Sequence, residues 1–241
     1  MTNIDPYLAI YFITFVVMIL LQVPVGYAMC ASAFEFILFN HQSFVMFAQR
    51  TANSLADFNM LALPAFLFVG CFMNEVGLTD RIFYLAEKWI GHLTGGLAHA
   101  NIAASMIFAG MSGSALADAG GLGTIEVKAM EESGYDKNFS VAVTSVSAMI
   151  GPIIPPSINF VIWAFLSQTS TLAMFQAGVI PGVVMGVSMM IWCIIAIKTQ
   201  GIKAPIVQKA SWKERMHATW VALPGLGGPA ILVLGIMTGI F

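Results

Sequence analysis

Charge is what this sequence is short of. Asp, Glu, Lys and Arg make up only 9% of its 241 residues, against roughly a quarter in soluble domains. The ten basic and twelve acidic residues nearly cancel to a net charge of −2, so no polyanion partner is implied and nucleic-acid binding has no support. Cysteine is scarce as well: Cys30, Cys71 and Cys193 stand singly in apolar segments. An odd number without C-x-x-C spacing argues against a disulfide framework or a thiolate metal centre. The N-terminus has no basic stretch followed by an A-x-A cleavage site; Asp5-Pro6 leads straight into an apolar run, which reads as a retained first helix. What fills the chain instead is hydrophobic side chain, 59% of residues with a mean hydropathy of +0.86. The expected class is an all-α polytopic protein embedded in a lipid bilayer.

Tyr7 to Gln22 is apolar, and Pro24-Val25-Gly26 predicts a kink before Tyr27 to Leu38 continues the same span. Together they exceed the roughly 20 residues that cross about 30 Å of hydrocarbon. Glu35 sits near the far end, where it is expected to snorkel or pair at the interface. Asn40 to Phe58 has the amphipathic pattern of a helix lying along the interface. Met60 to Glu75 is a second apolar segment, followed by Leu78-Thr79-Asp80 as an N-cap signal. Apolar positions then recur at helical spacing through Trp89 and Ile90. That stretch reads as a second interfacial helix or an amphipathic connector.

Two later apolar stretches are interrupted by residues that a bilayer helix should avoid. Leu97 to Gly110 spans only about 20 Å as a helix, and Ser112-Gly113-Ser114 breaks it before Ala115 to Met130 gives a second limb. A polar tip between short limbs fits a helical hairpin that enters and leaves by one face; a continuous span from Leu97 to Leu116 is the alternative. Val141 to Ile150 and Ile158 to Leu166 are likewise short, and Gly151-Pro152-Ile153-Ile154-Pro155-Pro156-Ser157 separates them. Three prolines in five residues forbid a regular helix there. The economical reading is a discontinuous helix with an unwound centre. Ala173 to Ile197 is the next apolar run. Lys198, Lys203, Lys209, Lys213 and Arg215 then place half of all basic residues in one loop, which the positive-inside rule assigns to the cytoplasm. His217 to Phe241 is apolar again, interrupted at Pro224-Gly225.

Irregular backbone survives at membrane depth only where protein or a water-filled cavity surrounds it. Each break leaves free carbonyls at one half-helix end and free amides at the next. Carbonyl ends with Ser hydroxyls suit a small cation such as Na⁺, and amide ends suit a carboxylate. Ser114 and Ser157 are placed to cap the limbs that follow them. Asp118, four residues after Ser114, shares its face on a helical limb. Its role is open between the cation or substrate region and structural hydrogen bonding.

In order, the motifs are Val23-Pro24-Val25-Gly26, Ala62-Leu63-Pro64-Ala65-Phe66, Asn74-Glu75-Val76-Gly77, Gly91-His92-Leu93-Thr94-Gly95-Gly96-Leu97, Ser112-Gly113-Ser114-Ala115-Leu116-Ala117-Asp118, Pro155-Pro156-Ser157 and Pro181-Gly182. With these the chain resembles the large membrane subunit of tripartite ATP-independent periplasmic (TRAP) transporters, the DctM-like proteins. The resemblance implies a non-enzymatic, Na⁺-coupled secondary transporter of the bacterial inner membrane. It would import organic acids delivered by a periplasmic substrate-binding protein, alongside a small four-helix membrane subunit. It implies an elevator-type fold of inverted repeats, each with a re-entrant hairpin and a discontinuous helix, and no cofactor beyond Na⁺ as coupling ion. On that pattern residues 1–96 are scaffold-type and interfacial helices. Residues 97–197 are the first transport-domain repeat, with its hairpin at about 97–130, broken helix at about 140–168 and following helix at about 173–197. Residues 198–215 are the basic loop, and 216–241 begin a second repeat whose remainder lies beyond this chain; Ala222-Leu223-Pro224 echoes Ala62-Leu63-Pro64.

Carried over motif by motif, Ser112, Gly113, Ser114, Gly151, Pro152 and Pro155 would surround one Na⁺, while Ser114, Asp118, Pro156 and Ser157 would line the substrate cavity. Two other classes compete. Gly110-Met111-Ser112-Gly113 spells the G-x-S-G of intramembrane serine proteases, but the mechanism needs a His base near the serine. The only later His, His217, sits at the edge of a polar loop. A non-transporting membrane assembly subunit would leave both polar breaks without purpose.

Overall fold

A computed structural model describes residues 6–56, 64, 67, 68, 70–73 and 75–238. The chain divides into two units, Met1–Asp57 and Phe58–Phe241. Every regular element among the described residues is helical.

In the first unit, α1 (Pro6–Leu20) and α2 (Val25–Phe39) are 15 residues each. The expected single kinked span is corrected here: the chain reverses between them. Tyr7 stacks on Phe39 at 6.2 Å and Tyr11 meets Phe36 edge-on at 6.2 Å, so the start of α1 lies beside the end of α2. Gln22 takes a left-handed φ of 62°, a conformation no helix continues through, and Pro24 withholds a donor one residue before α2. α3 (Phe44–Leu55) follows as a helix with no buried residue. Its Phe44 and Phe47 rest on Phe34 of α2, with ring centroids 5.1 and 6.3 Å apart. Half of the apolar segment Met60 to Glu75, including Ala62, Leu63, Ala65, Phe66 and Asn74, lies outside the described residues.

The second unit is built around α5 (Gly96–Ser112). Leu97, Ala98, Ala100, Ile102, Ala104, Phe108 and Ala109 are all buried, as are the polar His99, Asn101 and Ser105 between them. α4 (Leu78–Ile90) lays Ile82, Phe83, Leu85 and Ala86 against α5 and α11 (Trp212–Thr238). Protein therefore covers its apolar stripe. Gly77, at φ +71°, is the residue that precedes the helix, so Leu78-Thr79-Asp80 is the first turn rather than the cap.

The hairpin's return limb is two helices, α6 (Ala115–Gly120) and α7 (Leu122–Glu132), bent at Gly121. α8 (Lys137–Ser147) follows, its amide at Phe139 capped by Asp136 Oδ1 at 3.0 Å. A 3-10 turn (Ala148–Ile150) and irregular backbone lead to α9 (Ile158–Ser167). α10 (Thr171–Gln200), 30 residues, is the one described helix long and apolar enough to cross a membrane. Gly178, Gly182 and Gly186 form a stripe along it at four-residue spacing. A Cβ at these positions would collide with Phe160, Ile154 and Met106 respectively. Close approach without a Cβ is how the broken region and α5 are seated on α10.

The interruption expected at Pro224-Gly225 is absent: α11 runs through it from Trp212 to Thr238. Ala218 and Ala222 are buried against Leu85, and this packing outweighs the hydrogen bond that proline forfeits. A capping box opens the helix. Ser211 N donates to Glu214 Oε2 at 2.6 Å and Glu214 N donates to Ser211 Oγ at 3.3 Å, satisfying two end amides reciprocally. The bond from the Ser211 amide holds the Glu214 carboxyl below its usual pKa. At the other face of this crossing, Trp89 Nε1 donates to Thr219 Oγ1 at 3.1 Å, with the Arg215 guanidinium over the Trp89 ring.

Candidate functional site

The two breaks meet. Gly113, at the tip between α5 and α6, has φ +57°, and a Cβ there would stand 2.9 Å from Ile158 N and 3.1 Å from both Pro156 O and Ser157 Cα. Only glycine combines that left-handed backbone with so close an approach. On the other flank, a Cβ at Gly151 would collide with Asp118 Oδ2. The hairpin tip thus touches the unwound segment at both its start and its end.

Within the tip, Ser112 Oγ donates to Asp118 Oδ1 and accepts from Ser114 N at 3.2 Å. Ser114 caps α6, accepting from Ala117 N at 3.4 Å. Ser157 precedes α9 but does not cap it: its hydroxyl turns back to donate to Pro152 O at 2.6 Å. That bond closes the unwound loop on itself, the reason the expected cap is not made. Ser112, Gly113, Gly151, Pro155, Pro156 and Ser157 are buried, Ser114 and Pro152 partly so.

Asp118 is 2% exposed, and its Oδ2 has no hydrogen-bond partner among the described residues. A carboxylate cannot be left bare in such a place without large cost. It faces Gly151 with one oxygen free, which puts the Asp118 carboxylate and the Ser112 hydroxyl bonded to it beside the backbone of the second break. Such a hard-oxygen donor set fits a small cation. The serine of the G-x-S-G sequence is bonded to Asp118, and no histidine contacts it among the described residues. The protease reading therefore lacks its base.

Sequence reasoning missed a second polar layer behind the tip. Asn101 Nδ2 donates to Thr144 Oγ1 at 2.6 Å, Ser147 Oγ donates to Asn101 Oδ1 at 2.8 Å, and Ser105 Oγ donates to Ser147 Oγ at 3.0 Å. All four residues are buried between α5 and α8. Their four-residue spacing, Asn101 to Ser105 on α5, was the available signal.

Helices paired around two facing breaks define an all-helical unit with irregular backbone buried inside it. The chain belongs to the DctM component family of tripartite ATP-independent periplasmic transporters, whose family model matches residues 12–241. It is 40% identical over 219 residues to the sialic acid TRAP transporter large permease SiaM of Vibrio cholerae, covering 90% of this chain and 51% of that protein. It is 36% identical over 230 residues to the sialic acid TRAP transporter permease SiaT of Haemophilus influenzae, covering 95% and 37%. With the C4-dicarboxylate TRAP large permease DctM of Pseudomonas aeruginosa it shares 34% over 211 residues, covering 88% and 49%. These relatives are membrane permeases rather than enzymes, and the chain spans about half the length of SiaM and DctM.

Proposed function

We propose that this chain supplies one transport repeat of a Na⁺-coupled permease of the bacterial inner membrane that imports organic acids. The observation that carries the reading is the seating of Gly113 on the backbone of Pro156 to Ile158, with the free oxygen of Asp118 against Gly151. Ser112, Gly113, Ser114, Gly151, Pro152 and Pro155 form the cation side. Asp118 joins that side through its free oxygen, while Ser114, Pro156 and Ser157 stand toward the substrate. A carboxylate substrate is supported by the names of the relatives, since sialic acid and C4-dicarboxylates both carry that group. A small four-helix membrane subunit and a periplasmic substrate-binding protein complete the transporter, and the repeat moves as an elevator against its scaffold.

The test is Na⁺-dependent uptake by the full-length permease assembled with its partner subunits in proteoliposomes. Ser112→Ala removes the donor to Asp118, and Ser114→Ala removes the cap of α6. Each is expected to raise the Na⁺ concentration for half-maximal uptake about tenfold or more. Unchanged Na⁺ dependence in both variants would sink the site.

A further inference from the structure

The site above does not use Glu126. This carboxylate is 1% exposed in α7, its Oε1 is buried without a partner, and no ion pair or hydrogen bond reaches it among the described residues. Asp118, near enough to act on it electrostatically, has the same sign and makes the deficit of positive charge worse. Two carboxyl groups in one dry helical repeat are neutralised either by a proton or by positive charge close by.

Helical spacing fixes what Glu126 faces. Three residues before it, a Cβ at Gly123 would lie 2.8 Å from Thr144 Cγ2. Four residues after it, Met130 Sδ receives Asn101 Nδ2 at 3.7 Å. Residues at i−3 and i+4 share the face of residue i, so Glu126 stands on the stripe of α7 that packs on the Asn101–Ser105–Thr144–Ser147 layer. The bonds within that layer leave oxygen lone pairs on Asn101 Oδ1 and on the hydroxyls of Ser105 and Thr144. One carboxylate facing neutral oxygens is ligand chemistry for a monovalent cation.

We infer that Glu126, with Asn101, Ser105 and Thr144, forms a second Na⁺ site in the same repeat, behind the site at the hairpin tip. This rests on the Na⁺-coupled reading above. The site sits between α5, α7 and α8, whereas the first joins the tip to the unwound segment, so the two are separable by substitution.

The measurement is equilibrium binding of radioactive sodium to the purified full-length permease at constant ionic strength. Glu126→Gln is expected to lose one bound Na⁺ per permease while keeping the ion that Ser112→Ala weakens, and the double variant loses both. A full complement of Na⁺ in Glu126→Gln overturns the inference, because the carboxyl is then a neutral, protonated group. Loss in Glu126→Gln with none in Ser112→Ala removes the tip site and keeps this one. No binding to the parent permease overturns both. If Glu126→Gln is not monodisperse, Thr144→Val decides: binding of one ion about tenfold weaker supports the site, and unchanged binding overturns it.

Discussion

At the residue scale, Gly113 is the most constrained position in the site. Its φ of +57° costs an ordinary L-residue about 1–2 kcal/mol, and a Cβ would also press on Ile158 N at 2.9 Å. Gly113→Ala is therefore expected to push the tip off the unwound segment. Uptake should fall by about tenfold or more if 1.4 kcal/mol or more is lost from the assembled site, and added Na⁺ should no longer raise the melting temperature. A Na⁺-induced thermal shift equal to that of the parent would show that the tip tolerates a side chain. The sequence made this residue legible because a Gly between two serines inside an apolar run has no structural excuse in lipid. Glu126 was illegible for the opposite reason. It stands near Thr124, Lys128, Glu131 and Glu132, polar neighbours that give no sign of burial, and tertiary packing of α7 hides it.

Elements are where sequence reading succeeded and failed most clearly. The two breaks were legible, because each violates hydrogen-bond satisfaction in hydrocarbon and so announces itself. Prolines alone were ambiguous. Pro24 was read as a kink, yet the chain turns back there at Gln22; Pro224 was read as an interruption, yet α11 passes through it. Neither outcome is encoded locally, since contacts from Phe39 to Tyr7 and from Leu85 to Ala222 decide them. Pro181, likewise, lies inside the 30-residue α10. That helix owes its fit to the glycine stripe rather than to straightness. Replacing Gly182 by Leu drives a side chain into Ile154, in the unwound segment itself. The expected cost is about 1–3 kcal/mol of overpacking, read as a lower melting temperature in detergent. Leu at Val184, which is exposed on the same helix, should leave it unchanged.

For the whole molecule the open variable is which way the repeat faces, and the distribution of charge supplies a prediction. Five of the ten basic residues fall between Lys198 and Arg215: Lys198 in the last turn of α10, Lys203 and Lys209 in the irregular stretch that joins it to α11, and Lys213 and Arg215 in the first turn beyond. Lys and Arg beside the end of a membrane helix are retained on the cytoplasmic side, so this stretch should be cytoplasmic. A cysteine introduced at Lys209 tests the orientation. Cys30 and Cys71 are exposed and would react themselves, whereas Cys193 is buried, so the first two must be replaced by Ser before labelling. An impermeant maleimide should then modify Lys209→Cys rapidly in inside-out vesicles and hardly at all in right-side-out ones. The reverse pattern would put Lys209 on the periplasmic side and invert the repeat.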